Sequence, residues 1–357
     1  MKILTVIGAR PQFVKASAVS RVIRETSVLD EVLLHTGQHF DKNMSNIFFD
    51  ELNIPAPKYN LGIGGGSHGE NTGRMIEAVE KVLLYEKPDY ILVYGDTDST
   101  LAAAISASKL DIPIAHVEAG LRSYNRKMPE EINRILTDHV SSILFAPTKR
   151  ACEILLNEGI RPDMVINVGD VMFDAALHFG SLSEDLSFIL DKLNLIPKNY
   201  VLVTIHRQEN VEDFNTLNNI ISGLTLSNKN IVMPLHPRTR NKLLEFGIDL
   251  PKSFKVIDPV GYFDMVQLET NAEAIVTDSG GVQKEAFFYQ VPCITLRNET
   301  EWVELVELGF NKLTGSDPNE IGLALDSFNG AELDWNSRIY GNGNAAEKIV
   351  NYFIGLN

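Results

Sequence analysis

The chain has 357 residues, 44% of them hydrophobic and 22% charged, with 32 lysines and arginines against 47 aspartates and glutamates and a net charge of −15. Such a length suits two domains better than one core, and the acidic balance argues against nucleic acid or an anionic membrane as partner, because like charge repels at long range. Any phosphate must be held locally. The two cysteines, Cys152 and Cys293, fall in different halves in apolar company, so neither a disulfide framework nor a cysteine metal site is expected. The start, MKILTVIGARP, has one lysine and an apolar run too short for a signal sequence or a membrane span, which points to the cytoplasm.

Short apolar, β-branched runs recur at residues 3–7, 31–35, 90–94, 112–117 and 143–146, then at 200–205, 231–235, 254–257, 274–277 and 291–296. Between most of them lie stretches of helical periodicity, such as residues 70–85 with Met75, Ile76, Val79, Val82 and Leu83. This alternation predicts parallel sheets with crossover helices, and it appears twice. The fold class is therefore α/β, with two doubly wound Rossmann-like domains facing a cleft, over residues 1–180 and 181–342. The break falls in the polar-flanked helix of residues 181–199, closed by Pro197, and a last helix over 343–355 can return to the first domain. Ligands are expected at the carboxyl ends of the strands.

In chain order, IGARPQFVKA places Gly8 at the end of the first strand, Arg10 in the turn, Pro11 at a helix start and Lys15 one turn in. A cation at a helix N-terminus opposes the dipole, so a bound diphosphate accounts for Arg10 better than a solvated helix start. LGIGGGSHGEN (61–71) follows no strand directly and reads as a lid or a plain connection, not a dinucleotide fingerprint. In VYGDTDST (93–100) Asp96 fits a helix N-cap or a catalytic carboxylate. AHVEAGLRS (115–123) sets His116 and Glu118 at a strand's carboxyl end, where α/β folds keep their chemistry. RKMPEEINR (126–134) opens a helix at Pro129, whose dipole Glu130 and Glu131 complement. Three carboxylates at loop mouths in one domain, Asp96, Glu118 and Glu130, suit acid/base work, since crowding and partial burial push their pKa values apart.

The second half repeats the pattern. VTIHRQEN (203–210) carries His206 and Arg207 past a strand, and PLHPRTR (234–240) carries His236, Arg238 and Arg240, which fit either a ligand contact or a solvated loop. VTDSGGVQKEA (276–286) ends a buried strand in Ser279, Gly280 and Gly281 and reads on as a helix, a seat for an anion. Glu285, one turn on, fits a ribose hydroxyl pair. The seat is nucleotide-like.

Together and in this order, GARPQFVK, GDTDST, HVEAGLRS, MPEEINR, HRQEN, TDSGGVQKEA and YGNGNA resemble the non-hydrolysing UDP-N-acetylglucosamine 2-epimerases, of glycosyltransferase-B-like fold. The resemblance implies that Arg10, Lys15, His206, Ser279, Gly280, Gly281 and Glu285, with Arg207 beside them, bind UDP, and that Asp96, Glu118 and Glu130 are the acid/base carboxylates, with His206 near the diphosphate. It implies inversion at C2 by elimination and re-addition of UDP, with no metal and no cofactor, by a homodimer. Departures from the pattern, GARPQ, SYNRKMPEE and NETEWVE, resemble the branch acting on UDP-2,3-diacetamido-2,3-dideoxyglucuronate in surface polysaccharide synthesis. Trp302 stands there in place of an arginine. Arg126 or Lys127 could meet the extra sugar carboxylate, or be exposed helix-start residues. The family's regulatory site is matched in part, by Gln38, His39, Arg74 and His236, with Asp41 where a glutamine is often found, which argues against activation by substrate. The alternatives are a UDP-N-acetylglucosamine 2-epimerase, a hydrolysing relative, a glycosyltransferase of the same fold and a nucleotide-sugar sensor.

Overall fold

A computed structural model describes residues 1–38, 54–328 and 333–356. The chain forms two compact units, Met1–Ala175 with Arg338–Asn357, and Ala176–Ser337. They divide a few residues from 180 and 342.

The first unit contains β1 (Lys2–Ile7), α1 (Arg10–Arg24), β2 (Asp30–His35), β3 (Tyr59–Asn60), α2 (His68–Glu86), β4 (Tyr90–Tyr94), α3 (Asp98–Lys109), β5 (Ile114–Val117), α4 (Pro129–Val140), β6 (Ile143–Ala146), α5 (Lys149–Asn157) and β7 (Val165–Asn167). The chain division falls within α6 (Val171–Leu186). The second unit continues with α7 (Ile189–Leu193), β8 (Val201–Thr204), α8 (Gln208–Val211), α9 (Phe214–Leu226), β9 (Ile231–Pro234), α10 (Pro237–Phe246), β10 (Lys255–Ile257), α11 (Tyr262–Thr270), β11 (Ala274–Thr277), α12 (Gly280–Phe288), β12 (Cys293–Thr295), α13 (Val303–Glu307), β13 (Asn311–Leu313) and α14 (Pro318–Ser327). Finally α15 (Ala345–Leu356) belongs to the first unit.

The strands pair in parallel, in the order β3-β2-β1-β4-β5-β6-β7 in the first unit and β10-β9-β8-β11-β12-β13 in the second. Residues Ile3, Leu4, Val6 and Ile7 of β1 are all buried, although successive side chains point to opposite faces, as expected of a sheet covered on both sides by helices. Very short strands, β3 and β7, blunt the edges of the first sheet. α15 is anchored in the first unit: the Asp174 carboxylate accepts the N–H groups of Ala345 and Ala346 at 3.1 and 2.9 Å, and Phe353 packs on Tyr90 and Phe145 at ring separations of 5.4 and 6.0 Å.

Strand order locates the chemistry. Each sheet reverses its winding at one place, between β1 and β4 in the first and between β8 and β11 in the second. There the loops leaving the carboxyl ends diverge and open a crevice. Residues 8–11 and 95–97 flank the first crevice, and 205–207 and 278–281 the second.

Candidate active site

At the first crevice Gln12 ties the two loops together. Its Oε1 accepts the N–H groups of Gly8 and Ala9 at 2.7 and 3.0 Å, while its Nε2 donates to the Tyr94 carbonyl at 2.9 Å. Lys15, one turn into α1, forms an ion pair with Glu118, and both are buried. Glu118 takes a left-handed backbone, φ +72°, immediately after β5, a costly conformation for a non-glycine residue that is common at functional sites. Gly95 packs beside the pair with φ +62°, and a Cβ there would stand 3.1 Å from both Glu118 Oε2 and Lys15 Nζ. The left-handed backbone and the close contact both favour glycine there.

Asp96 is not a cap. Thr97 fills that place, its hydroxyl accepting the Thr100 N–H, which leaves the Asp96 carboxylate to accept from Arg134 Nη1 at 2.5 Å. The two glutamates opening α4 divide their work. Glu131 is buried and accepts the N–H groups of Ser123 and Tyr124 at 2.9 and 2.8 Å and that of Arg134 Nε at 3.1 Å, so it shapes the loop. Glu130 is half-buried and makes no ion pair among the described residues. Arg126 and Lys127 are exposed in the same loop.

At the second crevice the central residue is Asp278. Wholly buried, it accepts the backbone N–H groups of His206 and Arg207, each at 3.0 Å, and Asn210 Nδ2 at 3.1 Å, and it pairs with His206 Nδ1 at 3.0 Å. Burial opposes its ionisation, but the hydrogen bonds and charge from His206, with the Arg207 N–H and Asn210, outweigh it and hold the carboxyl below its ordinary value. The His206 side chain, 42% exposed, is thereby fixed through Nδ1. Ser279 caps α12, and the first-turn N–H groups of an α-helix have no partner within the helix. Glu285 lies over that turn, its Oε2 4.0 Å from where a Cβ on Gly281 would be.

Of the residues considered for regulation, Gln38 accepts the Ser99 N–H and hydroxyl at 3.0 and 2.6 Å, and Arg74 is exposed, 3.4 Å from Glu70. The His236 ring lies 6.0 Å from that of His206, and its Nδ1 accepts the Arg238 N–H. His39 and the Arg10 side chain lie outside the described residues.

The sequence profile of the UDP-N-acetylglucosamine 2-epimerase family matches residues 21–354. A UDP-N-acetylglucosamine 2-epimerase homolog of Methanococcus maripaludis is 54% identical, over the full length of both chains. The UDP-2,3-diacetamido-2,3-dideoxy-D-glucuronate 2-epimerase of Pseudomonas aeruginosa is 50% identical, again over both full lengths. The crystal structure of the Methanocaldococcus jannaschii UDP-GlcNAc 2-epimerase in complex with UDP-GlcNAc and UDP superposes with a TM-score of 0.92 at 46% identity, covering 99% of each chain. The chain belongs to the UDP-N-acetylglucosamine 2-epimerase family. It is thus an isomerase of glycosyltransferase-B-like α/β fold.

In this epimerase the segment around Trp302 braces α12. Trp302 Nε1 donates to the Gly280 carbonyl at 2.9 Å, its ring lies 4.1 Å beneath Lys284 Nζ, and Thr300 donates to Gln283 at 2.8 Å. Gly280 has a local reason to be glycine: a Cβ would lie 2.5 Å from Glu301 Oε1. Two acidic residues escaped the sequence reading. Asp278 stood in plain view before Ser279, but its partners, His206, Arg207 and Asn210, come from the loop after β8 and from α8, far away in the chain. Asp98 accepts from the exposed His68 at 2.8 Å and from Asn133 at 3.2 Å, and Asn133 also donates to the Asp96 carbonyl. A His and an Asp thirty residues apart give no periodic signal. No helix among the described residues is long and apolar enough to cross a membrane.

Proposed function

We propose that this UDP-sugar 2-epimerase inverts C2 of UDP-2,3-diacetamido-2,3-dideoxyglucuronate to give the manno epimer, without net hydrolysis. A proton on C2 of a sugar nucleotide is too weakly acidic for simple removal and return. In the proposed route a carboxylate takes that proton as the C1–O bond breaks and UDP leaves with the bonding pair, giving a glycal-like alkene. A second acid then protonates C2 from the opposite face, and UDP adds back at C1. Such a sequence needs a base, an acid, and donors that hold the departing diphosphate. Asp96, Glu118 and Glu130 supply the acid/base groups. His206, Arg207, Ser279, Gly280 and Gly281, with Arg10 and Lys15, hold UDP, and Glu285 takes the ribose hydroxyls. Arg126 or Lys127 meets the uronate carboxylate.

The observation that carries this reading is the pairing of chemistry with topology: carboxylates line the first sheet's crevice, and an Asp-oriented histidine with a helix N-terminus lines the second. The 50% identity to the Pseudomonas aeruginosa enzyme supports the substrate. The reading includes a cytoplasmic homodimer, whose assembly light scattering on the purified protein checks. A second reading, UDP-N-acetylglucosamine as substrate, is favoured by the name of the 54% identical homolog and by the Methanocaldococcus jannaschii structure. NMR of each UDP-sugar with the enzyme in heavy water decides: the diacetamido uronate should exchange its C2 proton and invert with UDP retained. Exchange of UDP-N-acetylglucosamine alone would establish the second reading, and stoichiometric loss of UDP a hydrolysing enzyme.

A further inference from the structure

Behind the first crevice lies a buried chain of charges that the proposed chemistry does not use. His116, wholly buried in β5, has both ring nitrogens in hydrogen bonds: Nδ1 is 2.7 Å from Asp138 Oδ1 and Nε2 is 2.7 Å from the Gly95 carbonyl. The carbonyl can only accept, and an ionised carboxylate can only accept. Asp138, also wholly buried, takes two further donors on Oδ2, the Gly120 N–H at 3.1 Å and Arg122 Nη1 at 2.7 Å. Arg122 in turn grips Glu158 through Nε and Nη2 at 2.8 and 2.7 Å, and His139 lies 3.2 Å from the same glutamate. Asp138 titrates below its ordinary value: burial opposes this, but the His116 hydrogen bond and charge, and Arg122, prevail.

A neutral imidazole offers one donor and one acceptor, so between two acceptors it would leave one lone pair facing another. We infer that His116 is a positioning residue held as an imidazolium by Asp138, and that it sets the Gly95–Asp96 turn and the Glu118 carboxylate for proton transfer. The geometry gives the reason. Gly95, whose carbonyl His116 holds, is the residue packed against both Glu118 and Lys15. The next residue is Asp96. Past β5, Asp138 also fixes the backbone at Gly120, two residues beyond Glu118, so a single buried carboxylate sets both loops that carry candidate acid/base groups. Removing one partner from such a buried network leaves the other charge uncompensated, so the network holds both loops in one arrangement. His116 itself touches no sugar in this role. The groups facing it or its partners are Asp138, Arg122, Glu158 and, beyond Glu158, His139 on one side, and Glu118 and Lys15 beyond Gly95 on the other.

The inference rests on the proposed role of Glu118, and the tests separate the two. In wild-type enzyme with ring-¹⁵N histidine, the long-range proton–nitrogen spectrum should show an imidazole protonated at both nitrogens whose signals are lost in His116→Gln. His116→Gln can satisfy Gly95 or Asp138 but not both; kcat should fall by about 10²-fold while the Kd for UDP changes far less, because of the groups proposed to hold UDP only Lys15 packs against the Gly95 turn. Asp138→Asn permits a neutral imidazole that still donates to Gly95. Its kcat should therefore approach that of wild type at alkaline pH and fall on an acid limb near the ordinary imidazole value of about 6.5, a limb the wild type lacks. A wild-type spectrum without a doubly protonated imidazole overturns the inference, as does folded His116→Gln with undiminished kcat, or Asp138→Asn with the wild-type pH profile. If Glu118→Gln keeps full C2 exchange, the role of Glu118 fails instead, and the spectrum still reports on the imidazolium.

Discussion

Asp278 touches no sugar in the proposed reaction, yet it orients much of the second crevice. Its carboxylate gathers the backbone N–H groups of two successive residues, the Asn210 amide and the His206 ring. An asparagine there would turn an amide N–H₂ towards groups that are themselves donors. Hydrogen bonds to a charged, buried acceptor contribute about 1.5–3 kcal/mol, so Asp278→Asn should weaken UDP binding roughly 10- to 100-fold. Titration calorimetry with UDP checks this, and an unchanged Kd in the folded variant would show that His206 needs no orienting partner. At this scale the sequence was half legible. Residues that end a strand in a loop, such as Glu118, His206 and Ser279, could be found because chain order alone puts them at a carboxyl end. Asp278 and Asp98 could not, because their meaning lies in partners that tertiary packing brings alongside: β11 beside β8 sets Asp278 against His206, and α2 and α4 bring His68 and Asn133 to Asp98. Glu130 and Glu131 were indistinguishable in the sequence, and which way each points depends on the loop they follow.

Among elements, α12 shows how a departure from the family's pattern is absorbed. Trp302 stands where the pattern that the sequence resembles has an arginine, and its two contacts, with the Gly280 carbonyl and with Lys284, fix the first two turns of the helix that offers the anion seat. Trp302→Phe keeps an aromatic face for Lys284 and loses the N–H donor, a loss of about 1 kcal/mol that should lower Tm by about 2–4 °C. Trp302→Arg should be worse, because its guanidinium would meet the buried Lys284 ammonium in place of the aromatic face. Adding Lys284→Met should recover part of that loss, with a coupling of at least about 0.5 kcal/mol between the two sites. Thermal melts of the single and double variants test the pair, and strictly additive effects would mean that Lys284 and Trp302 do not interact. Most helices and strands could be read from periodicity and from their Pro starts, as with Pro129 opening α4. β3, β7 and β13 could not, since two or three residues at a sheet edge carry no alternation. Asp96 was open to reading as a cap because Asp and Thr both cap well; Thr97 wins by one position.

Across the whole molecule, two sheets of the same winding set the candidate groups at two reversal points, which the twice-repeated strand–helix alternation foreshadowed. What alternation could not foreshadow is the set of buried ionisable groups that comes with the packing. Glu269, on α11, is buried, and its Oε1 has no hydrogen-bond partner among the described residues. Burial, and then the neighbouring Glu285 charge, hold its carboxyl well above the ordinary 4.5. Between that ordinary value and the raised one the folded protein binds a proton that the unfolded chain has released, so stability falls as pH rises through this window. Depressed carboxylates such as Asp138 and Asp278 act oppositely: their contribution is present above their ordinary values and is lost only as pH falls below them. Glu269 therefore lowers stability as pH rises above about 4.5, and the depressed pair shapes the acid side. Glu269→Gln replaces the protonated acid with a neutral group of the same shape. Its melting temperature should match that of wild type near pH 4.5 and exceed it increasingly towards pH 8. Parallel curves for the two proteins would mean that Glu269 ionises in the folded state as readily as in the unfolded chain. A widening gap would mean that the charge on Glu285, the residue assigned to the ribose, stands beside a neutral partner throughout the working range.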